Sequence, residues 1–468
     1  MKTDLESNTI SGAEDEYTQP KDLLKDPPNG LLETFKYLGP GIIVSSSIVG
    51  SGEVILTASL GAAVGYGMLW WVLLSCWSKS VLQAELARYV ILSGDTYLRA
   101  LNRIPGKIRL KNGAKVSWPV ILVFLSFFTS ITNLGGLIGG ASLAILLIFP
   151  EIEVTFIIAG LAFFTMLILG AGGYHRLEKI MMLMVGSFTI VTIICFFLMQ
   201  GTEYSTNLNQ LTNGFSFKFY PEYAFLALAV YGYTGINSGE VASYTYWCIE
   251  KGYAGRVGSF EKSDNWVSRA HGWLRVLRTD VWVTLLILTL ATIPFYFLGA
   301  GILHATDQTP SGQETIRALS GMYTETLGGW SLWLFATGAF FILYSTTISA
   351  VAAQSRVLPD YFIEFGLVKR EMLFRRKQIT KYWIFLAPAL GFLIAEFIRR
   401  PVLLVSISAC VFAVLLPIQT YATLYLQGKR LPKSVLPRPI TKYFLMGTFI
   451  FQCVMAFLVL YYVVFKLG

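Results

Sequence analysis

Two copies of one tetrapeptide put a glutamate in the middle of an apolar stretch. Ser51-Gly52-Glu53-Val54 lies within an apolar segment from about 41 to 64, and Ser238-Gly239-Glu240-Val241 within another from about 221 to 249. A charged side chain at the centre of a bilayer costs from ~2.5 kcal/mol upward, so an acid there reads first as part of a site. Glycine weakens a helix by roughly 1 kcal/mol relative to alanine, and Gly50 and Gly52 precede the first acid as Gly235 and Gly239 precede the second. Both segments are predicted to break, near 49–53 and 235–240, because irregular backbone at membrane depth is tolerated only against protein or a water-filled cavity. Close helix packing through small residues accounts for the glycines and leaves the glutamates unexplained.

The residues around the breaks, Gly50, Ser51, Glu53, Asn237, Ser238 and Glu240, offer carboxylates, hydroxyls, an amide and opened backbone carbonyls. An all-oxygen set suits Mg²⁺, Ca²⁺ or Mn²⁺ better than softer metals, and two carboxylates match a 2+ charge. If both acids face one cavity, they need a cation or a proton between them. Tyr231, Tyr233, Tyr244 and Tyr246 flank the second break and Trp70 and Trp71 follow the first. Such aromatics line pockets for organic cations but more often serve as packing and interfacial belts. Lys79, inside the next apolar segment, is a candidate counter-charge to Glu53 or Glu240. Glu85 and Arg88 are three apart and can pair on one helix face, while Asp280 and Glu396 sit near span ends and read as interfacial. None of the 3 histidines falls in an apolar span, and the 5 cysteines, without a CxxC, read as small buried apolar residues. No P-loop, dinucleotide fingerprint or HExxH is present, so catalysis has little support and no enzyme is expected. No cofactor is expected, a divalent ion being cargo if it binds.

The elements that must hold these residues are membrane helices. The chain is 54% apolar and 14% charged over 468 residues, the composition of a polytopic helical protein. Eleven spans are read near 41–64, 68–92, 118–147, 152–173, 178–200, 221–249, 276–302, 330–355, 380–398, 401–426 and 443–465. A net charge of +9 would fit a nucleic-acid partner, but the basic residues cluster in alternate loops. Loop 93–117 carries six of them, whereas 148–152 has none and 303–329 only Arg317. That pattern sets the N-terminus in the cytoplasm and the C-terminus outside, with lipid as the surrounding partner and no nucleic acid. Residues 1–38 read as a disordered acidic cytoplasmic tail. The first apolar run is expected to act as its own insertion signal in a cell (inner) membrane.

Spans one and six are five apart and cross in opposite directions. Residues 39–200 (spans 1–5) and 201–430 (spans 6–10) thus form an inverted repeat, and 431–468 adds span 11. Broken first and sixth helices meeting at the midplane are the layout of the LeuT-type fold. The expectation is an all-α membrane protein of that type. The functions open to it are transport of a cation, transport of a small organic solute, or a membrane sensor that moves nothing; nothing here fixes an oligomeric state.

A family resemblance comes from longer matches. Gly39-Pro40-Gly41-Ile42-Ile43-Val44-Ser45, then Gly65-Tyr66-Gly67-Met68-Leu69-Trp70 after the break, resemble the start of Nramp-family divalent metal transporters. Gln83 with Ala87-Arg88, Thr132 through Gly139, Ala387-Pro388-Ala389 and Leu416-Pro417 extend the likeness over residues 39 to about 430. The resemblance implies secondary transport of a divalent cation, usually coupled to protons. It also exposes departures. Where the family carries Asp-Pro-Gly-Asn, this chain reads Gly50-Ser51-Gly52-Glu53. Where it carries Met-Pro-His-Asn, this chain reads Asn237-Ser238-Gly239-Glu240. The proton-path acids of the third span correspond to Asn133 and Gly136, Lys381 takes the place of an arginine, and the tenth-span glutamine position falls near Ala409. Asn133, Lys79 and Lys381 are accordingly the candidates for coupling or counter-charge.

Overall fold

A computed structural model describes residues 24–465 except 51, 172, 173, 311 and 371. In chain order the helices begin with α1 (Leu31–Tyr37), α2 (Pro40–Ile48), α3 (Ala58–Val64), α4 (Leu69–Trp77), α5 (Ser80–Ser93) and α6 (Tyr97–Leu101). A hairpin of β1 (Lys107–Arg109) and β2 (Lys115–Ser117) follows, pairing Ile108 with Val116. Then come α7 (Trp118–Ile148), α8 (Val154–Gly170), α9 (Tyr174–Met199), α10 (Leu208–Gly214), α11 (Ala224–Tyr233), α12 (Ser238–Glu250) and α13 (Tyr253–Val257). The chain closes with α14 (Asp264–Leu298), α15 (Thr315–Leu327), α16 (Ser331–Glu364), α17 (Leu373–Ile398), α18 (Pro401–Arg430) and α19 (Pro439–Phe465). Among the described residues, seven helical stretches are long and apolar enough to cross a membrane. α8 and α9 are further apolar helices, and α2–α3 and α11–α12 are the two spans expected to break. Each of the eleven predicted spans has its helix.

Prolines open several helices. Pro40, Pro119 and Pro401 sit in the first turn of α2, α7 and α18, where the missing N–H is no loss and the fixed φ suits the helix. The seventh span starts earlier than its apolar residues imply. Ser263 accepts a hydrogen bond from Trp266 N at 3.2 Å, a helix cap that apolarity alone does not register. The second span, read as one stretch over 68–92, is divided at Ser78-Lys79 between α4 and α5.

α2 lies against α12 and α14, α7 against α16, α17 and α18, and α18 also against α11 and α19. The expected tail also needs correcting over the part that is described. Trp273 Nε1 donates to Lys25 O at 2.8 Å and Tyr253 donates its hydroxyl to Tyr37 O at 2.8 Å, so residues 25–37 with α1 are laid against α13 and α14. Asp280, read from sequence as interfacial, is buried. It accepts from Gly39 N (3.1 Å), Gly41 N (2.7 Å) and Tyr244 Oη (2.7 Å). It caps α2 because the start of that helix offers bare N–H groups.

Candidate functional site

Both breaks lie where the glycines predict them. α2 stops at Ile48, and the chain restarts at Gly52 as a π-helical turn through Thr57. α11 stops at Tyr233, and α12 begins at Ser238 with the Asn237 side chain accepting from Glu240 N at 3.0 Å. Gly235 between them has φ +69, and a Cβ there would lie 2.8 Å from Cys76 Cα. Only glycine satisfies both the left-handed conformation and that approach.

The breaks touch. Thr57 Oγ1 and Thr234 Oγ1 are 2.9 Å apart. Glu53 is fully buried, with Oε2 accepting from Gly50 N at 3.2 Å and Oε1 from Gly235 N at 3.5 Å and Thr292 Oγ1 at 3.4 Å. One carboxylate thus fastens its own break to the other. Lys79, also fully buried, donates 2.6 Å hydrogen bonds to Tyr231 O and Thr234 O. Its ammonium caps the end of α11 and lies 5.2 Å from the Tyr231 ring centre. The expected direct pairing of Lys79 with a glutamate is replaced by this cap, although its charge remains near enough to attract that of Glu53. The carbonyls at a helix C-terminus carry about half a negative charge and attract a cation, and two of them lie within 2.6 Å of this ammonium.

Glu240 belongs to a different space. It is half-buried and lines a cavity of about 100 Å³ with Asn133, Tyr233, Asn237, Ser238 and Gln419. The cavity extends along α7 to Val123 and along α16 to Tyr361, toward the hairpin and the α16–α17 loop. Glu53 is not among its lining residues, so the expectation that the two acids share one cavity fails. The identical tetrapeptides enter their helices differently. The chain restarts at Gly52 in one and at Ser238 in the other, and π winding of the first turns Glu53 toward Gly235 and Thr292. Separation also avoids two close anions.

The donors in this cavity are oxygens. Asn133 Oδ1, Ser238 Oγ and Gln419 Oε1 are buried and find no hydrogen-bond partner among the described residues. Buried polar atoms are nearly always satisfied, so three such oxygens around one space mark a place for a donor or a cation. The opposite ends of two of them are held. Asn133 Nδ2 donates to Tyr233 Oη at 3.0 Å, and Gln419 Nε2 donates to Tyr97 Oη at 2.6 Å and Ser238 O at 2.8 Å. Among the described residues no three of His, Cys, Asp and Glu come together as a metal cluster.

The other sequence candidates are placed as follows. Gly50 is at the first break, where a Cβ would lie 2.4 Å from Thr346 Oγ1. Ser51 lies outside the described residues. Lys381 is exposed on α17 and is not part of the site, because the charged start of that helix faces outward. Gly136 is packed, its would-be Cβ 2.8 Å from Val405 Cγ2. Ala409 packs its carbonyl against Gly232, and the tenth-span glutamine that faces the break is Gln419. Sequence reasoning passed over Gln419, although an amide two residues after Pro417 in an apolar helix was a visible signal. Glu85 and Arg88 pair as expected, at 2.9 Å.

A family model described as "Nramp: Natural resistance-associated macrophage protein-like" matches residues 41–463. An uncharacterized protein of Pasteurella multocida is 24% identical over 341 residues, 69% of each chain. A divalent metal cation transporter, MntH, of Staphylococcus aureus is 27% identical over 182 residues, 38% of this chain and 37% of that one. Among solved structures, a manganese transporter of Eremococcus coleocola superposes with TM-score 0.64 at 15% identity, over 93% of this chain and 88% of that one. The nucleobase-cation-symport-1 transporter Mhp1 gives TM-score 0.55 at 14% identity, over 95% and 93%. These superpositions are of fold, and both neighbours share the helical arrangement built above.

Proposed function

Because this chain belongs to the Nramp family, and so to the membrane transporters and not the enzymes, we propose that it carries a hard divalent cation through the cavity at Glu240. The observation that carries the reading is the set of three partnerless buried oxygens, Asn133 Oδ1, Ser238 Oγ and Gln419 Oε1, around the same space as the Glu240 carboxylate. One carboxylate with neutral oxygens is a hard-cation environment. The Staphylococcus aureus and Eremococcus coleocola relatives are described as carriers of divalent metal and of manganese, which supports the same cargo class here. The metal is cargo, and no resident cofactor is part of the reading.

The broken helices supply what such cargo needs. Gln419 reaches from α18 to the first carbonyl of α12, and Asn133 reaches from α7 to Tyr233. Two oxygens are thereby aimed while their amide nitrogens are held. Glu53 and Lys79 take a different role. They join the breaks and let the halves hinge about a fixed point, as alternating access requires. On the positive-inside pattern, the hairpin end of the cavity faces the cytoplasm, the N-terminus is cytoplasmic and the C-terminus is outside, in a cell (inner) membrane.

Uptake by purified protein in liposomes, against Mg²⁺, Ca²⁺ and Mn²⁺, tests this. The parent moves at least one of them, and Glu240→Gln does not. A second reading has its own observation: Tyr97, Phe127, Tyr233, Tyr361 and Phe412 line the same cavity, and aromatic faces attract organic cations. A parent that ignores all three metals and takes up an organic amine would replace the first reading with the second.

A further inference from the structure

Away from the breaks, a groove of about 1160 Å³ runs between α4–α5, α14 and α19. Most of its wall is apolar and open to the side of the bundle: Trp282, Phe444 and Leu286 are 69%, 64% and 59% exposed. At 1160 Å³ it exceeds the ~300–1,000 Å³ of pockets that enclose small ligands, and its long axis follows the helices. The character changes at one end. Arg88, Arg278 and Arg438 line it there, and Glu85 is the one acid among the described lining residues.

The charges do not balance. Glu85 is committed to Arg88, through contacts of 2.9 and 3.3 Å, and also accepts from Gln427 at 2.7 Å. Arg278 spends its Nε on Leu274 O, in its own helix, at 3.3 Å. Neither Arg278 nor Arg438 has a carboxylate within ion-pair distance among the described residues. Arg88, Arg438 and Arg275 all lie close enough to repel Arg278, and only Glu85, already paired with Arg88, is near enough to attract it. Like charges held together beside an apolar cleft call for an anion that has an apolar body. All three lining arginines lie at the basic-loop end of their helices, the level of a headgroup.

We propose that this groove holds one anionic glycerophospholipid, with its phosphate on Arg278 and Arg438 and its acyl chains along α14 and α19. Guanidinium groups pair with phosphate through two parallel hydrogen bonds, and the tail-lining residues give the chains a wall that lipid would otherwise have to solvate. Charge complementarity singles out this occupant. A zwitterionic lipid would bring its own cation to the arginines, and a second protein chain would need matching acids.

Native mass spectrometry of purified protein, titrated with phosphatidylglycerol or phosphatidylcholine, reads the binding directly. Phosphatidylglycerol is retained in preference by the parent. At about fivefold per arginine, Arg278→Gln with Arg438→Gln lowers its affinity ~25-fold, and the same two changes to Lys restore most of it. Gly447 lines the groove with open space at its Cβ position, so Gly447→Phe fills the tail region and lowers retention with every arginine present. Lys107→Gln, on the exposed hairpin, changes nothing. Equal retention of the two lipids, an unaltered affinity in both the Gln pair and Gly447→Phe, an equal loss in Lys107→Gln, or displacement of the lipid by inorganic phosphate alone would overturn the proposal.

Discussion

Lys79→Met removes an ammonium and keeps most of its apolar stem. The ammonium is fully buried and holds Tyr231 O and Thr234 O at 2.6 Å each. Methionine has no donor, so both carbonyls lose their side-chain partner. A buried polar group left unsatisfied costs about 1–3 kcal/mol, which gives roughly 2–6 kcal/mol for the pair. Removing the desolvated lysine returns part of that. Losing the cation also leaves Glu53 with weaker company: its remaining partners are N–H and O–H donors at 3.2–3.5 Å. Breaking a buried charge arrangement on one side typically costs ~3–5 kcal/mol, and that is the expected net loss. The double variant with Glu53→Gln separates the two contributions. With no uncompensated anion, it should be less damaged than the sum of the single changes, by ~0.5–3 kcal/mol. Unfolding of purified protein in mixed micelles by increasing dodecyl sulfate, followed by tryptophan fluorescence, measures all four species. A Lys79→Met variant within about 0.5 kcal/mol of the parent, or strict additivity with Glu53→Gln, would refute the reasoning.

The site makes other demands. Glu240→Gln should weaken divalent-cation binding by ~10–150-fold, the loss of a charged contact of about 1.5–3 kcal/mol, while Glu53→Gln leaves affinity near the parent's; calorimetric titration distinguishes them, and equal losses would restore a shared site. Gly235→Ala combines a strained φ with overlap at Cys76, and should destabilise by ~2–5 kcal/mol, visible as a lowered unfolding midpoint; a midpoint equal to the parent's would remove the need for glycine there. Cation uptake should depend weakly on a proton gradient, since Asn133 and Gly136 replace acids. Strong substrate-driven acidification of the liposome interior would contradict that.

The broken spans were legible because their signal is local. Two glycines and an acid in an apolar run conflict with a continuous lipid-facing helix, and Gly50, Gly52 and Gly235 stand where the chain unwinds. The direction in which each glutamate points was not legible. It depends on where the helix restarts and on whether it winds as π or α, which Ser-Gly-Glu-Val does not specify in either copy. Lys79 was found as an unusual buried cation, yet its partners are carbonyls made available by a break in another span, and a backbone acceptor has no letter in the sequence. Gln419 is the converse case. Its letter was plain, but its importance rests on reaching Ser238 O and Tyr97, a meeting of three distant segments.

Asp280 takes three donors on one carboxylate: two from the backbone at the start of α2 and one from Tyr244 on α12. Charged hydrogen bonds of this kind contribute about 1.5–3 kcal/mol each. α12 is held to this carboxylate by the Tyr244 hydroxyl alone, so drawing it away from α2 costs one such bond and leaves the two to Gly39 and Gly41 in place. At that cost roughly one molecule in ten to one in a hundred and fifty has the link parted. The first half of one broken span and the second half of the other, about two hundred residues apart in the chain, therefore travel together most of the time, and the exceptions are frequent enough for one to lead the other.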